Sequence, residues 1–143
     1  FGASDDSRLF VKIREDLGLV YDIQSSLEDM LDGSLYSITT DTDPDNKDKV
    51  ISAINDEIDK ITNFKPTDEE VQRAKNRYKS YIYQTMDTSF GVAESIVEEE
   101  FYGYNIDSRF LAEIDAVTSD KVLEVAQKVF GGNKYIAIGV GID

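Results

Sequence analysis

The stretch Ser7–Ile23, SRLFVKIREDLGLVYDI, changes its hydrophobic period in mid-course and so prescribes a helix running straight into a strand. Leu9, Phe10, Ile13 and Leu17 recur at three- and four-residue steps, the spacing of one buried helix face. Arg8, Lys12, Glu15 and Asp16 fall largely on the polar side, and Asp5 to Ser7 offer candidate N-caps. Gly18 follows the last apolar residue, where a left-handed C-cap costs glycine least. Leu19, Tyr21 and Ile23 then alternate with Val20, Asp22 and Gln24, the two-residue period of a strand. Arg14, near the helix end, and Tyr21, on the strand, are the two candidate functional side chains.

Downstream, Asp32-Gly33 is a turn signal and Leu35–Thr40 a second, β-branched and aromatic strand. The two strands are expected to pair antiparallel through a ragged connection over Glu28–Asp32. Asp43-Pro44 supplies a cap and a first-turn proline for a helix burying Val50, Ile51, Ile54, Ile58 and Ile61. Lys65-Pro66 ends it. Thr67 and Glu70 form a capping box for a helix with Val71, Ala74, Tyr78, Tyr81, Ile82 and Met86 inside and Arg73, Lys75, Arg77 and Lys79 outside. A break over Thr88–Gly91 leads to a helix with Val92, Ile96, Val97 and Phe101 inward and Glu94, Glu98, Glu99 and Glu100 toward solvent. A loop at Tyr102-Gly103-Tyr104 follows, and Asp107 caps a short helix through Ile114. Thr118 opens the last helix, with Val122, Val125, Ala126 and Val129 inward and Gly131-Gly132 as its stop. Tyr135–Ile142 is read as a closing strand.

Helices grouped between strands predict an α+β fold, an antiparallel sheet with helices packed on one face, in a single domain over 1–143. Three strands are few for so many apolar helices. Either a further strand pair precedes Phe1 or a partner covers the unfinished edge, which is a route to a homo-oligomer.

The 29 acidic and 15 basic residues leave a net charge of −14, which repels phosphate backbones and anionic lipid; neither nucleic acid nor membrane is expected as a partner. No apolar run reaches the roughly 20 residues of a membrane span, and a reducing, cytoplasmic setting fits a chain with no cysteine. Histidine is also absent, so a thiolate or imidazole metal site and the usual general base are ruled out together. Asp41-x-Asp43-x-Asp45 imitates the start of a calcium loop, but Asn46 and Ser52 stand where glycine and glutamate are needed; helix capping explains it better. Gly139 and Gly141 have no helix after them and read as strand glycines, not a dinucleotide motif.

SRLFVKIREDLGLVY resembles a signature in the C-terminal domain of the zinc metallopeptidases related to pitrilysin, insulin-degrading enzyme and mitochondrial processing peptidase. TTDTDPDN with the helix after it, PTDEEVQRAKNRYKS, and AVTSDKVLEVAQKVF resemble further steps of that domain in the same order, nearest to small bacterial members. The resemblance implies a processing-peptidase-type α+β domain lying opposite the zinc-bearing one, the two closing on a peptide like a clamshell. That family's H-x-x-E-H site cannot exist in a chain without histidine. No catalytic or metal residue is therefore assigned here, and zinc is expected in a partner domain, on the same chain or another subunit.

By the same resemblance Arg14 would hold a substrate carbonyl and Tyr21 would hydrogen-bond the scissile carbonyl or the tetrahedral intermediate. The family's domain opens with strands and a helix ahead of SRLF, so 1–143 is expected to be a partial domain lacking those elements and inactive alone. The residues also admit blander readings: Arg14 as a helix-end cation or a partner of Asp16 or Asp22, Tyr21 as an ordinary strand aromatic, and the whole chain as a catalytically silent scaffold or assembly subunit.

Overall fold

Ser7 starts the first helix: its carbonyl accepts from the Val11 N–H at 2.9 Å and its hydroxyl from the Phe10 N–H at 3.4 Å. This computed structural model describes residues 1–30, 32–103, 108–132 and 134–139. After one α-type turn, Phe10–Asp16 is π-helical, not the regular α-helix that the spacing predicts. The Leu17 N–H reaches back five residues to the Lys12 carbonyl at 3.2 Å. Leu9, Phe10 and Ile13 are buried as expected, but each widened turn takes in more chain, and Leu17 has drifted off the apolar face to lie exposed. Gly18 ends the helix at φ +60°, the left-handed C-cap, with the Leu19 N–H closing on the Ile13 carbonyl at 3.1 Å.

Two strands follow, β1 (Val20–Met30) and β2 (Gly33–Thr42), paired antiparallel. β1 runs through Met30 and β2 starts at Gly33, so Glu28–Met30, expected as a ragged connection, is strand. Ser26 and Ser37 face each other, hydroxyl to hydroxyl at 2.9 Å. No third strand occurs among the described residues. Tyr135–Gly139 lie outside any strand, with Tyr135, Ile136 and Ile138 exposed, and the rest of the expected closing strand falls outside the described residues. A segment becomes a strand only when a neighbour takes up its N–H and C=O groups, and none does so among the described residues. Pro44–Asn46 forms a 3₁₀ turn capped by Asp43, whose carboxylate accepts from the Asp45 N–H at 3.0 Å. α1 (Lys47–Asn63) follows and buries Val50, Ala53, Ile58 and Ile61.

The chain divides into two compact units. The first holds Phe1–Glu28, Ser34–Phe64 and the described residues from Leu123 on. Its core is Leu9, Phe10, Ile13, Val20, Ile23, Val50 and Ala53, flanked by Phe1, Leu19, Ile38 and Ile54. The Phe130 ring, at the end of α5 (Ser119–Phe130), meets Phe1 at 5.5 Å and stands edge-on to Tyr36 at 5.4 Å. Burial raises the pKa of the Tyr36 phenol, and a hydrogen bond with Ser25 opposes that only in part. A raised acid pKa means that this contribution to stability is complete below the ordinary phenol pKa and is lost as pH rises through the folded value. Tyr36→Phe is therefore expected to flatten the alkaline fall in stability above about pH 10, measured by urea unfolding across pH.

The second unit holds Asp29–Gly33 and Lys65–Val122: α2 (Asp68–Met86), α3 (Ser89–Tyr102), α4 (Ser108–Ala116) and the first residues of α5. Thr67 and Glu70 make the expected capping box. Thr67→Ala should cost about 1 kcal/mol, read as a shift in the urea midpoint. Thr88 caps α3, its hydroxyl accepting from the Gly91 N–H at 3.0 Å, and Gly103 ends it at φ +75°. Ser119 donates to the Asp68 carboxylate at 2.6 Å, and Lys75 to the Asp115 carbonyl at 2.8 Å, so Lys75 is not merely exterior.

The expected apolar stripes of α2 and α3 are corrected. Val71 and Ile82 are buried, but Ala74, Tyr78 and Tyr81 are exposed, as are Val92, Ile96, Val97 and Phe101. Gly91 of α3 lies close against Thr85 of α2. Gly91 is buried, Ser95 and Glu98 half-buried, and a Cβ at Gly91 would lie 2.7 Å from the Thr85 side chain. Of the apolar residues of α5 only Ala126 is buried; Val125 and Val129, expected inward, are exposed. Period alone marks which residues share a face, not which face is covered. Tyr104 and Asp107 lie outside the described residues, although Ser108–Ala116 is the short helix expected after them.

Candidate functional site

The corner at Gly18 brings the two candidate side chains together. Arg14 sits in the last turn of the π-helix, and Tyr21 follows at the start of β1, 85% exposed. The Arg14 guanidinium carbon lies 5.5 Å from the Tyr21 ring centroid and 4.6 Å from that of Phe10. Cation–π attraction of this kind contributes about 0.5–1 kcal/mol at an exposed site, and more where water is excluded.

The backbone on either side of Tyr21 is pinned from β2. Thr42 donates its hydroxyl to the Leu19 carbonyl at 2.7 Å, and Thr40 donates to the Asp22 carbonyl at 2.6 Å. Tyr21 thus projects from a fixed strand while its own hydroxyl makes no hydrogen bond among the described residues.

The acidic neighbours that might have engaged Arg14 are taken up elsewhere. Asp16 pairs with Lys12 at 3.3 Å, and the Asp22 carboxylate accepts from the Gln24 amide at 2.9 Å. Arg14 makes no ion pair or side-chain hydrogen bond among the described residues, in a chain that carries 29 acidic residues. A guanidinium held this way presents a rigid fork of donors that fits a carbonyl or carboxylate oxygen, and it keeps its charge at any working pH.

Sequence reasoning did not single out Phe10 for this site. Its signal was present, a phenylalanine four residues before the arginine on one helix, but the apolar period assigned it wholly to the core. An open cleft of about 520 Å³ also adjoins the corner, lined by Leu17, Leu19, Asp48, Lys49, Ser52, Ala53 and Asp56. Leu17 lines it because the π-helix turns it off the core face.

The residues present do not suit a zinc ion. The chain has no histidine or cysteine, and the described residues contain no group of three or more potential ligands. No helix among them is long and apolar enough to cross a membrane.

Residues 1–78, which include the whole corner, match the family described as "Peptidase M16 inactive domain". The chain is 23% identical over 140 residues to the "Probable inactive metalloprotease YmfF" of Bacillus subtilis, covering 97% of this chain and 32% of that protein. It is 27% identical over 139 residues to an uncharacterised zinc protease of Streptomyces coelicolor, covering 96% and 30%. The chain thus spans about a third of the length of these relatives. In fold it is similar to the crystal structure of a peptidase M16 inactive domain from Pseudomonas fluorescens, with a TM-score of 0.78 at 19% identity over 89% of this chain and 31% of that one. With its α+β architecture and its motifs in order, the chain belongs to the inactive-domain family of the M16 peptidases.

Proposed function

We propose that this chain is the substrate-positioning, non-zinc domain of a zinc metallopeptidase, and that Arg14 and Tyr21 are its substrate-facing residues. The observation that carries the reading is the Arg14 guanidinium, held against the Tyr21 ring and without an acidic partner among the described residues of an acidic chain. Arg14 donates to a carbonyl oxygen of a bound peptide, and the Tyr21 phenol donates to the carbonyl under attack. A zinc-bearing domain, on the same chain or a partner subunit, supplies the metal. No peptide is cut by this chain alone.

In a peptidase assembled with its zinc-bearing domain, Arg14→Ala is expected to lower kcat/KM for peptide cleavage by about 10- to 100-fold, the loss of one charge-assisted hydrogen bond. Zinc should leave the melting temperature of the isolated chain unchanged, since a ligand stabilises only what binds it. Unaltered cleavage by the Arg14→Ala variant would sink the role given to that residue.

A second reading, a catalytically silent scaffold or assembly subunit, has one observation in its favour: a similar protein carries "inactive" in its name. It predicts that the complete assembly cleaves no peptide at all, with or without added zinc.

A further inference from the structure

The exposed Arg14 side chain lies over a buried ring of its own helix. We infer that Phe10 is a positioning residue, whose buried ring holds the Arg14 guanidinium in place for the ligand that Arg14 and Tyr21 take. This inference rests on the proposed role of that pair and adds the group that orders it.

Three observations converge. The Phe10 ring is the nearer of the two, 4.6 Å from the guanidinium carbon against 5.5 Å for Tyr21. Phe10 is only 4% exposed and is packed with Leu9, Ile13 and Ile23 in the core, so its ring is fixed, whereas Tyr21 stands 85% in solvent and cannot fix anything by itself. Arg14 has no other partner among the described residues, although Glu15, Asp16 and Asp22 lie close in sequence.

An arginine side chain gives up much of its rotamer freedom when it is ordered. Ordering it before the ligand arrives removes part of that cost from binding. The ring attracts the charge without supplying a lone-pair acceptor, so it does not take up the guanidinium's donors as a carboxylate would. An acidic partner would have ordered Arg14 equally well, but would have occupied those donors. The π-helix belongs to the same device: it keeps Phe10 in the core while Arg14, four residues on, remains at the surface beside β1.

The test begins with the unmutated 143-residue chain, isotopically labelled. Nuclear Overhauser contacts from the Arg14 side-chain protons to the Phe10 ring protons are expected, together with an upfield ring-current shift of the Arg14 Nε–H. Their absence overturns the inference with no variant needed. Phe10→Leu, which keeps apolar bulk but removes the ring, should move that resonance to the position of an ordinary exposed arginine. Phe10→Tyr should retain the shift. A resonance unmoved in Phe10→Leu overturns the inference.

In the assembled peptidase, Phe10→Leu should raise KM for a peptide about three- to tenfold, the scale of one cation–π contact, with little change in kcat. A change confined to kcat would also overturn the positioning role. If the ring contacts are present yet Arg14→Ala leaves cleavage intact, the proposed function fails while the Phe10–Arg14 contact stands, so the two failures are told apart.

Discussion

Tyr21→Phe in the assembled peptidase is expected to lower kcat by about 10²- to 10³-fold, the usual cost of removing one donor to a developing oxyanion. The substitution is chosen because it deletes only the hydroxyl. The ring stays, so the Arg14 contact at 5.5 Å is retained, and so is the strand that carries it, since Thr40 and Thr42 grip backbone carbonyls and not the side chain. The phenol has no protein partner among the described residues to lose, and at 85% exposure it contributes little to stability. Any large effect on rate therefore reports an interaction with substrate. If the donor acts on the transition state alone, kcat and kcat/KM fall together and KM holds; a rise in KM with kcat unchanged would mean that Tyr21 binds the ground state just as tightly. Equal activity of Tyr21→Phe and the parent enzyme would remove the phenol from the mechanism.

The pairing of Arg14 and Tyr21 was legible in the sequence because it depends on a local device. A glycine able to adopt φ +60° lies between a helical period and a strand period, and residues close on either side of such a corner have little room to separate. Capping was legible for the same reason: Asp43, Thr67 and Thr118 each accept from a backbone N–H two or three residues on, whereas Thr88, read only as a break, proves to be the cap of α3. What the sequence did not reveal is non-local. Ile96 and Phe101 share a helix with buried Gly91 and are apolar, yet α3 leaves them exposed while Gly91 lies against Thr85 at the end of α2. Tyr135, Ile136 and Ile138 have a strand's composition without a strand's neighbour. The π-helix was hidden as well, because the apolar positions 9, 10 and 13 suit either winding and only the exposure of Leu17 distinguishes them.

Ile13→Ala should be the most damaging of the substitutions considered for stability, at about 2–5 kcal/mol, with Ile13→Val near 0.5–1.5 kcal/mol. Ile13 is fully buried, as are Leu9 and Ile23. Truncation to alanine removes three carbons from the core that Ile13 shares with Leu9, Phe10, Val20, Ile23, Val50 and Ala53, and a close-packed interior relaxes only partly around such a void. The backbone around it is committed too: the Ile13 carbonyl takes the Leu19 N–H that closes the C-cap, so the π-helix cannot settle into the gap without opening that turn. Urea unfolding of the two variants checks the prediction, and the ratio of the two costs carries more information than either alone. A cost for Ile13→Ala near that of Ile13→Val would mean that the widened helix collapses onto the void. Arg14, one residue on, would then shift away from Phe10 and Tyr21, and the ring-current signature of its Nε–H would report that movement in the same sample.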